Sequence, residues 1–366
     1  MSTFEISVES RALKSVLARA AGAAQVKSTI PIMSCCLLDA SDGVLRVTTT
    51  DSYCSEQSTA EAVVKAPGSI CVDARNFSDM VKQLPPAEVK LKVTGTHLEL
   101  KCGKIKYRLP TVGAESFPPM PGVEGAVPVV SLASDVLLRI IAQAAYASSS
   151  DESRPHLCGV LFELADDTLT AVSTDGHRLA IASVKTPHGP ATKLLVPAKG
   201  IAELKKLCSS SDTVEIRHSG KLILMTTSDT TVTITTSGEA FPPWRKVVPK
   251  THKHSVTLDR YALLDAVKRV ALVASKATSG GVRLEFGQGA LSIHAESAEA
   301  GEAHEELDCA CDFETRVGVN ASYLAQAVSA LAGDDVTIEL GGELDPIVVR
   351  AVGDESAYGV VMPMRV

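Results

Sequence analysis

Apolar residues recur at three- and four-residue intervals in several segments, the pattern of a helix with one buried face. The clearest segments are Leu13-Val16-Leu17-Ala20, Val136-Leu137-Ile140-Ile141-Ala144 and Leu263-Leu264-Val267-Val270-Ala271. Three further helical segments follow short β-branched runs. The spacing therefore predicts six helices, over 9–25, 75–84, 132–147, 197–208, 258–276 and 320–333.

Between these helices, apolar and polar residues alternate, which is the pattern of strands with one buried face. Matching runs occupy equivalent places in each third of the chain: 43–50, 168–174 and 290–295, and again 89–93, 214–217 and 336–340. Each third therefore reads as strand, helix and three strands, followed by the same order again. This order predicts an α+β fold in which every third consists of two βαβββ units.

Sequence markers recur at a nearly constant interval and point to an internal repeat. Ala74, Ala198 and Ala321 each lie between a β-branched strand and a helix, and they are 124 and 123 residues apart. A Phe-Pro-Pro sequence at 117–119 recurs at 241–243. A unit of this size can bury its own core. We therefore predict three similar domains, over 1–122, 127–249 and 253–366.

Composition excludes several classes of protein. Apolar residues make up 45% of the 366 positions and charged residues 22%, so the chain is not disordered. No run approaches the roughly 18 apolar residues of a membrane-spanning helix. The N-terminal residues predict a strand and an amphipathic helix and not a signal peptide. We therefore expect a cytoplasmic protein with no membrane partner.

Cysteine and histidine placement predicts neither a metal site nor a cofactor. The nine cysteines form no CxxC pair, and their apolar surroundings favour reduced, buried thiols. His252 and His254 would lie on one face of a strand with no third ligand nearby, so a polar linker is the favoured interpretation.

Charge is distributed unevenly along the chain. The net charge is −7, which argues against a nucleic-acid partner if the charge is spread evenly. The six predicted helices, however, contain 13 Lys and Arg and only six Asp and Glu, so they carry +7 and the remainder carries −14. Lys and Arg favour helices, but so does Glu, which is nearly absent from these segments. A basic helical surface without interleaved aromatic residues suits backbone phosphates better than stacked bases.

Three segments carry a resemblance to a known family: 173–180 (STDGHRLA), 241–249 (FPPWRKVVP) and the ending 361–366 (VMPMRV). With the threefold repeat, they make the whole chain similar to bacterial DNA polymerase III β subunits, the sliding-clamp family. The resemblance implies three clamp domains that form a ring as a head-to-tail dimer, with helices lining the hole and sheets outside. It implies a non-enzymatic processivity factor that encircles double-stranded DNA without reading its sequence.

The resemblance also implies a hydrophobic pocket that binds short linear peptides of the replicative polymerase, the clamp loader and repair proteins. The positions that match the family's pocket are Leu157, Thr174, Gly176, His177, Arg178, Leu179, Pro242, Val247, Asn320, Tyr323, Val360, Val361, Met362, Pro363, Met364 and Arg365.

Two further residue sets are predicted. The DNA-facing set combines helix cations with two positions that lie near DNA in the family: Lys14, Lys27, Arg75, Lys82, Arg139, Arg154, Lys199, Lys205 and Arg269. The implied dimer interface pairs Tyr107 and Leu109 of the first domain with Leu272 and Val273 of the third.

Two other classes of function stay open on the sequence. One is a cytoplasmic enzyme whose active site, centred on His177 and Cys158, lies between the second and third domains. Asp175-Gly176 is, however, a common turn dipeptide, and no nucleophile elbow, P-loop or HExxH motif accompanies it. The other is a repeat-built scaffold that never binds DNA.

Overall fold

The computed structural model describes residues 4–20, 30–121, 125–187, 189–236, 238–274 and 280–366. All six predicted helices are present, and each follows a strand directly. They are α1 (Ser10–Ala20), α2 (Ala74–Lys82), α3 (Ser134–Ala144), α4 (Ala198–Ser210), α5 (Arg260–Ala271) and α6 (Ala321–Ala330).

Side-chain caps fix the starts of three helices. Asp73, Asp259 and Asn320 each accept a hydrogen bond from the backbone N–H three residues later, at 2.8, 2.7 and 3.0 Å. Such a bond satisfies one of the backbone donors that a helix leaves without an intrahelical partner. The predicted helix over 258–276 therefore begins two residues later, because 258–259 belong to the preceding strand and its cap.

The described residues also form 26 strands, numbered here in chain order. The first third holds β1 (Glu5–Glu9), β2 (Cys35–Ser41), β3 (Val44–Thr50), β4 (Cys54–Glu61), β5 (Val63–Ala66), β6 (Gly68–Asp73), β7 (Glu88–Thr94), β8 (His97–Cys102), β9 (Ile105–Pro110) and β10 (Val112–Gly113). The second holds β11 (Val127–Ala133), β12 (Gly159–Ala165), β13 (Thr168–Thr174), β14 (Arg178–Lys185), β15 (Thr192–Pro197), β16 (Thr213–Ser219), β17 (Leu222–Thr226) and β18 (Thr230–Thr235). The last holds β19 (His254–Asp259), β20 (Gly281–Gly287), β21 (Ala290–Ser297), β22 (Gly301–Asp308), β23 (Thr315–Asn320), β24 (Asp335–Leu340), β25 (Ile347–Ala351) and β26 (Asp354–Val361).

The order of elements is the predicted one. The second and third thirds each read strand, helix, three strands, twice over. The first third adds two short strands, β5 and β10, to the same order. The mixed helix-and-sheet class, with two βαβββ units per third, is confirmed.

The chain divides into two compact units. Unit 1 comprises Met1–Ser134 and Ala202–Thr236, and it contains a five-stranded sheet, β5-β1-β7-β8-β9, and a nine-stranded sheet, β10-β6-β2-β3-β4-β18-β17-β16-β11. Unit 2 comprises Asp135–Ile201 and Ser237–Val366, and it contains an eight-stranded sheet, β15-β12-β13-β14-β26-β25-β24-β19, and a four-stranded sheet, β22-β21-β20-β23. The two long sheets each join strands from successive thirds, through the antiparallel pairs β4·β18 and β14·β26.

Aliphatic side chains form the cores, as a chain with 4% aromatic residues requires. In unit 1, Leu, Val and Ile from α1, α2 and the two sheets surround Phe4 and Phe77. None of the nine cysteines, all of which the structure describes, forms a disulfide, and seven of them are buried. Among the described residues, no helix is both long and apolar enough to span a bilayer.

Candidate functional site

The turn between β13 and β14 is held by one carboxylate. Asp175 Oδ1 accepts hydrogen bonds from the backbone N–H groups of His177 (2.9 Å) and Arg178 (3.1 Å). Thr174 Oγ1 donates to the carbonyl of Arg178 at 2.6 Å and accepts from the N–H of Gly176 at 3.1 Å. Gly176 has φ +95°, a conformation that glycine adopts without strain. Four hydrogen bonds within the turn therefore define its conformation.

Arg178 connects this turn to α6. Its Nε donates to Asp175 Oδ2 at 3.0 Å, and its Nη1 donates to Gln326 Oε1 at 2.6 Å. The guanidinium carbon lies 4.4 Å from the ring centre of Tyr323, which also stacks at 6.4 Å on the exposed ring of His177. Hydrogen bonds and ring contacts thus fix four of the predicted pocket positions, residues 176–178 and Tyr323, in one place.

The C-terminal residues run alongside the same turn. Leu179 pairs with Val360 and Arg178 with Val361 in the β14·β26 ladder. Beyond β26, the N–H of Met362 donates to the carbonyl of His177 at 2.9 Å, and that of Met364 donates to Gly318 at 2.8 Å. Met362 and Arg365 are exposed, whereas Pro363 and Met364 are half-buried.

An apolar floor lies beside the turn on one face of the eight-stranded sheet. We call this face of the sheet the pocket face. It is formed by buried Leu161, Val172, Leu179, Ile181, Val348 and Val360, and Trp244 packs on them. The segment 241–248 covers this floor, with Phe241 and Val248 also in contact with it. Val247 on the same segment is 49% exposed. Val247 and the exposed Met362 are apolar side chains left open beside this covered floor, next to the hydrogen-bonding groups of the turn, and such an arrangement suits an extended peptide.

The remaining predicted pocket residues lie on elements around this floor. Leu157 is buried in a short 3-10 helix, Pro155–Leu157, and Pro242 accepts a hydrogen bond from the N–H of Trp244 at 2.7 Å. Asn320 is occupied as the cap of α6. The pocket assignment itself remains a prediction.

Sequence reasoning missed the groups that support these residues. Asp175 was visible only as part of a turn dipeptide, although it fixes the turn. Gln326 and Glu163, which contact Arg178 and Trp244, carried no local signal. Helical spacing from residue 320 could have placed Gln326 beside Tyr323.

The geometry around Cys158 opposes a nucleophilic role. Its Sγ lies 3.0 Å from the carbonyl oxygen of Asp151. Burial raises the pKa of the Cys158 thiol, and the negative charges of Asp151 and Glu152 raise it further. A catalytic cysteine needs the opposite shift, because the thiolate is the nucleophile. His177 stacks on Tyr323 and does not approach a described acidic side chain closely enough to form an ion pair.

The DNA-facing set divides by environment. Arg75, Lys82, Arg139, Lys199, Lys205 and Arg269 are exposed on their helices. Lys82 contacts Asp79 at 3.1 Å, whereas Arg269 forms a two-point ion pair with Glu305 at 2.5 and 2.9 Å. Lys14 donates to the carbonyl of Leu84 at 2.6 Å, and Arg154 donates to Asp151 and to the carbonyl of Asp175. Lys27 lies outside the described residues.

The four predicted interface residues lie at sheet edges and helix ends. Tyr107, half-buried, and Leu109, buried, belong to β9, the edge strand of the five-stranded sheet. Leu272, immediately after α5, is 84% exposed, and Val273 is half-buried.

A separate depression lies on the four-stranded sheet of unit 2. It has a volume of about 1010 Å³ and is lined by polar and charged groups that include Arg283, His294, Glu302 and His304. It contains none of the predicted pocket residues. The depression is open, and about half of its lining is polar, so it suits an apolar peptide less well than an apolar groove does.

Comparisons with known proteins agree along the whole chain. Family models for the N-terminal, central and C-terminal domains of the DNA polymerase III β subunit match residues 4–121, 131–242 and 245–365. The β sliding clamp of Pseudomonas putida is 32% identical over 366 residues, covering 98% of this chain and 99% of that protein. That of Escherichia coli K12 is 29% identical over 367 residues, covering 99% and 100%.

Solved structures show the same fold. A sliding clamp from Pseudomonas aeruginosa, crystallised with griselimycin bound, superimposes with a TM-score of 0.94 at 30% identity and full coverage of both chains. The clamp of Caulobacter crescentus superimposes with a TM-score of 0.94 at 29% identity, again with full coverage of both chains. The chain therefore belongs to the family of bacterial DNA polymerase III β subunits, the β sliding clamps that act as processivity factors in replication.

Proposed function

We propose that two copies of this chain close head to tail into a ring around double-stranded DNA, which tethers the replicative polymerase without catalysing a reaction. The three domains of each copy would span 1–122, 127–249 and 253–366. The ring would act in the cytoplasm with the replication machinery. Among the described residues, one kind of strand pair occurs twice within the chain, and the two strands that would form it a third time are edge strands. This observation carries the proposal.

In both long sheets, the last strand of the first βαβββ unit of one third pairs with the last strand of the second unit of the next third. β4 pairs with β18, and β14 pairs with β26. The repeat makes β22 equivalent to β4 and β14, and β9 equivalent to β18 and β26. Both β22 and β9 are edge strands of their own sheets. Joining β9 of one copy to β22 of the other makes a nine-stranded sheet like that in unit 1, and it covers two edges that would otherwise invite nonspecific pairing.

Burial along β22 supports this pairing. Ala180 and Ala182 in β14 are fully buried, whereas the equivalent Ala303 and Glu305 in β22 are only half-buried. Transferring the register of β14·β26 sets Ala303 opposite the partner subunit's Tyr107, and Glu302 opposite the partner subunit's Arg108. The second pair unites opposite charges across the joint.

Helix ends support the same joint. Tyr146, two residues after α3, packs its hydroxyl so close to Gly359 that a Cβ there would lie 2.7 Å away. Leu272 is the equivalent residue after α5 and is exposed. In the proposed dimer it would cover the partner subunit's Tyr107, which is equivalent to Gly359. This contact matches the interface set predicted from the sequence.

Helix charge supports DNA inside the ring. The six helices as described carry twelve Lys and Arg and four Asp and Glu, a net charge of +8 in a chain of net charge −7. Helices lining the hole would offer phosphates a basic surface, and the acidic remainder would face outward. Long, exposed cations contact phosphates without base specificity, which permits sliding.

The pocket beside the Thr174–Leu179 turn would bind short apolar peptides of the polymerase, the clamp loader and repair proteins. Its apolar floor, its hydrogen-bonded turn and two adaptable methionines support this role. Deleting Met362–Val366 removes residues beyond the last strand, and it should abolish polymerase stimulation while dimerisation persists. Retained stimulation would contradict the pocket assignment.

The ring is tested by topology. Protein loaded by its clamp loader onto nicked circular duplex should co-elute with the DNA in gel filtration, and linearising the circle with a restriction enzyme should release it. A scaffold that never binds DNA would not be retained on the circle at all. Retention that survives linearisation would indicate ordinary binding and would contradict the ring.

A further inference from the structure

One buried carboxylate lies beneath the segment that covers the pocket face. Glu163, on β12 two residues from Leu161, has a side chain that is only 8% exposed. Its Oε2 accepts hydrogen bonds from the indole Nε1 of Trp244 at 3.3 Å and from Nη1 of Arg245 at 2.6 Å. Its Oε1 lies 3.0 Å from Nζ of Lys193. Two of its three partners belong to the covering segment.

The carboxylate is held in its charged form. Burial raises the pKa of Glu163, but hydrogen bonds from Arg245 and Lys193 outweigh burial and bring the pKa below its ordinary value. A buried indole N–H needs an acceptor, and an acceptor with full charge forms the stronger bond. Removing this carboxylate leaves the Trp244 N–H without its acceptor and releases Arg245, whose guanidinium otherwise stacks 4.2 Å above the Trp244 ring.

Trp244, which Glu163 anchors, is hydrogen-bonded through its backbone to nearby residues of the same segment. The N–H of Trp244 donates to the carbonyl of Pro242 at 2.7 Å, and its own carbonyl accepts from Val247 at 3.1 Å. Pro242 and Val247 are the two pocket residues contributed by this segment. The Trp244 side chain meanwhile belongs to the same buried apolar cluster as the floor residues Leu179 and Val360. Movement of Trp244 would therefore move one wall of the pocket relative to its floor.

We propose that Glu163 is a positioning residue of the peptide pocket: it touches no ligand, but through Trp244 and Arg245 it fixes the wall formed by 242–247. The proposal rests on the proposed function of that pocket. It predicts that loss of Glu163 weakens ligand binding more than it affects folding. It also predicts that the amide of glutamine, which retains an acceptor for the indole, restores most of the loss.

The test compares Glu163→Ala, Glu163→Gln and the control Lys193→Met, which removes the partner that lies outside the segment. The probe is griselimycin, with which a related clamp was crystallised, measured by isothermal titration calorimetry. We expect Glu163→Ala to weaken binding at least tenfold, Glu163→Gln two- to fourfold, and Lys193→Met less than twofold. Trp244 is the only tryptophan of the chain, so its fluorescence reports directly on the segment and should shift to longer wavelength in Glu163→Ala.

Each outcome decides one claim. Binding of Glu163→Ala within twofold of the parent protein overturns the positioning role, whether or not the emission shifts. If Glu163→Ala does not fold, the test uses Glu163→Gln. An affinity of Glu163→Gln equal to that of the parent protein, together with unchanged Trp244 emission, overturns the positioning role of Glu163. If the parent protein itself does not bind the probe, the emission decides, and unchanged emission in Glu163→Ala overturns the anchoring of Trp244.

Discussion

A carboxylate buried in unit 1 should make the stability of the protein fall as pH rises. Glu56, on β4, is 3% exposed and faces α1 and α4. Burial, reinforced by the negative charge of Glu203, raises the pKa of Glu56 to about 7, although Lys206 and Arg19 act in the opposite direction. Lys206 is already committed to Glu203, at 2.8 Å. Glu56 therefore keeps its proton in the folded state at pH values where an ordinary carboxyl group has lost it.

The sign and size of the effect follow from proton linkage. Between pH 4.5, the ordinary value, and about 7 the folded state retains the proton of Glu56 and the unfolded state does not. The free energy of unfolding therefore decreases as pH rises through this window, by about 1.4 kcal/mol per pH unit at most, and levels off above pH 7. Ionised Glu56 thus costs on the order of 3 kcal/mol at pH 8. Glu56→Gln removes this cost.

The measurement is urea denaturation followed by far-ultraviolet circular dichroism at pH 5 and pH 8. The difference in unfolding free energy between Glu56→Gln and the parent protein should grow by about 2 to 3 kcal/mol from pH 5 to pH 8, in favour of the variant. Glu61→Gln is the matched control, because Glu61 is exposed on the same strand. A difference that stays constant, or that grows equally in the control, would refute a buried proton at Glu56.

Three further predictions concern the joints between domains. Leu272→Asp should convert the dimer into monomers in analytical ultracentrifugation without lowering monomer stability, because Leu272 is exposed within the chain; Leu344→Asp, equally exposed in unit 2, should remain dimeric. Arg19, on α1, forms an ion pair at 2.8 Å with Asp229 of the second third, and the repeat makes Arg269 its equivalent. Arg269→Ala should therefore raise the dimer dissociation constant about three- to tenfold; unchanged dimerisation with faster loss from circular DNA would favour the DNA-facing assignment. Gly359→Ala should lower stability by about 1 to 3 kcal/mol in thermal unfolding, because its new Cβ meets the Tyr146 hydroxyl at 2.7 Å; an unchanged melting temperature would show that Tyr146 moves freely.

Local periodicity was enough to predict the helices and strands, but it was not enough to predict which strands lie side by side in a sheet. A two-residue period fixes which residues of a strand share a face, but it does not identify the strand that lies alongside. The pairings β4·β18 and β14·β26 join residues more than 170 positions apart, and no turn between them sets the register. The sequence therefore predicted three repeats of the same element order, but not that each long sheet combines strands from two of them.

The uses of individual charged side chains were equally hidden. Lys14 was predicted to face DNA because of its charge, and no local pattern indicates that its ammonium group donates to the carbonyl of Leu84, just beyond α2. Glu163 belongs to an alternating strand and carries no motif, although it anchors the only tryptophan. The hydrogen bonds of Lys14 and Glu163 join segments that are distant in sequence. One amino-acid sequence read by itself contains no local pattern that indicates such contacts.

The turn that first drew attention, 173–180, has a close structural copy in the first repeat. Asp51 Oδ1 accepts from the N–H groups of Tyr53 (3.0 Å) and Cys54 (2.7 Å), as Asp175 accepts from residues 177 and 178. Ser52 even adopts a positive φ of 77°, as Gly176 does at 95°. The backbone of the turn is therefore a property of the repeat and cannot by itself specify a binding site.

The cross-strand pairs beside the two turns differ in polarity, and this difference sets how much apolar area each face offers to a ligand. In the second repeat, Val172 lies opposite Ile181 and contributes to the apolar floor. At the equivalent pair of the first repeat, Gln57 donates to Thr48 Oγ1 at 3.1 Å, and the neighbouring Thr50 and Ser55 hydroxyls are hydrogen-bonded at 2.7 Å. A face whose polar groups already satisfy one another offers little apolar area for a ligand to bury, because binding would have to break those bonds. The first and second repeats thus share the same turn backbone, and of these two faces only the second carries the valine, leucine and isoleucine side chains of the apolar floor that the proposed peptide site requires.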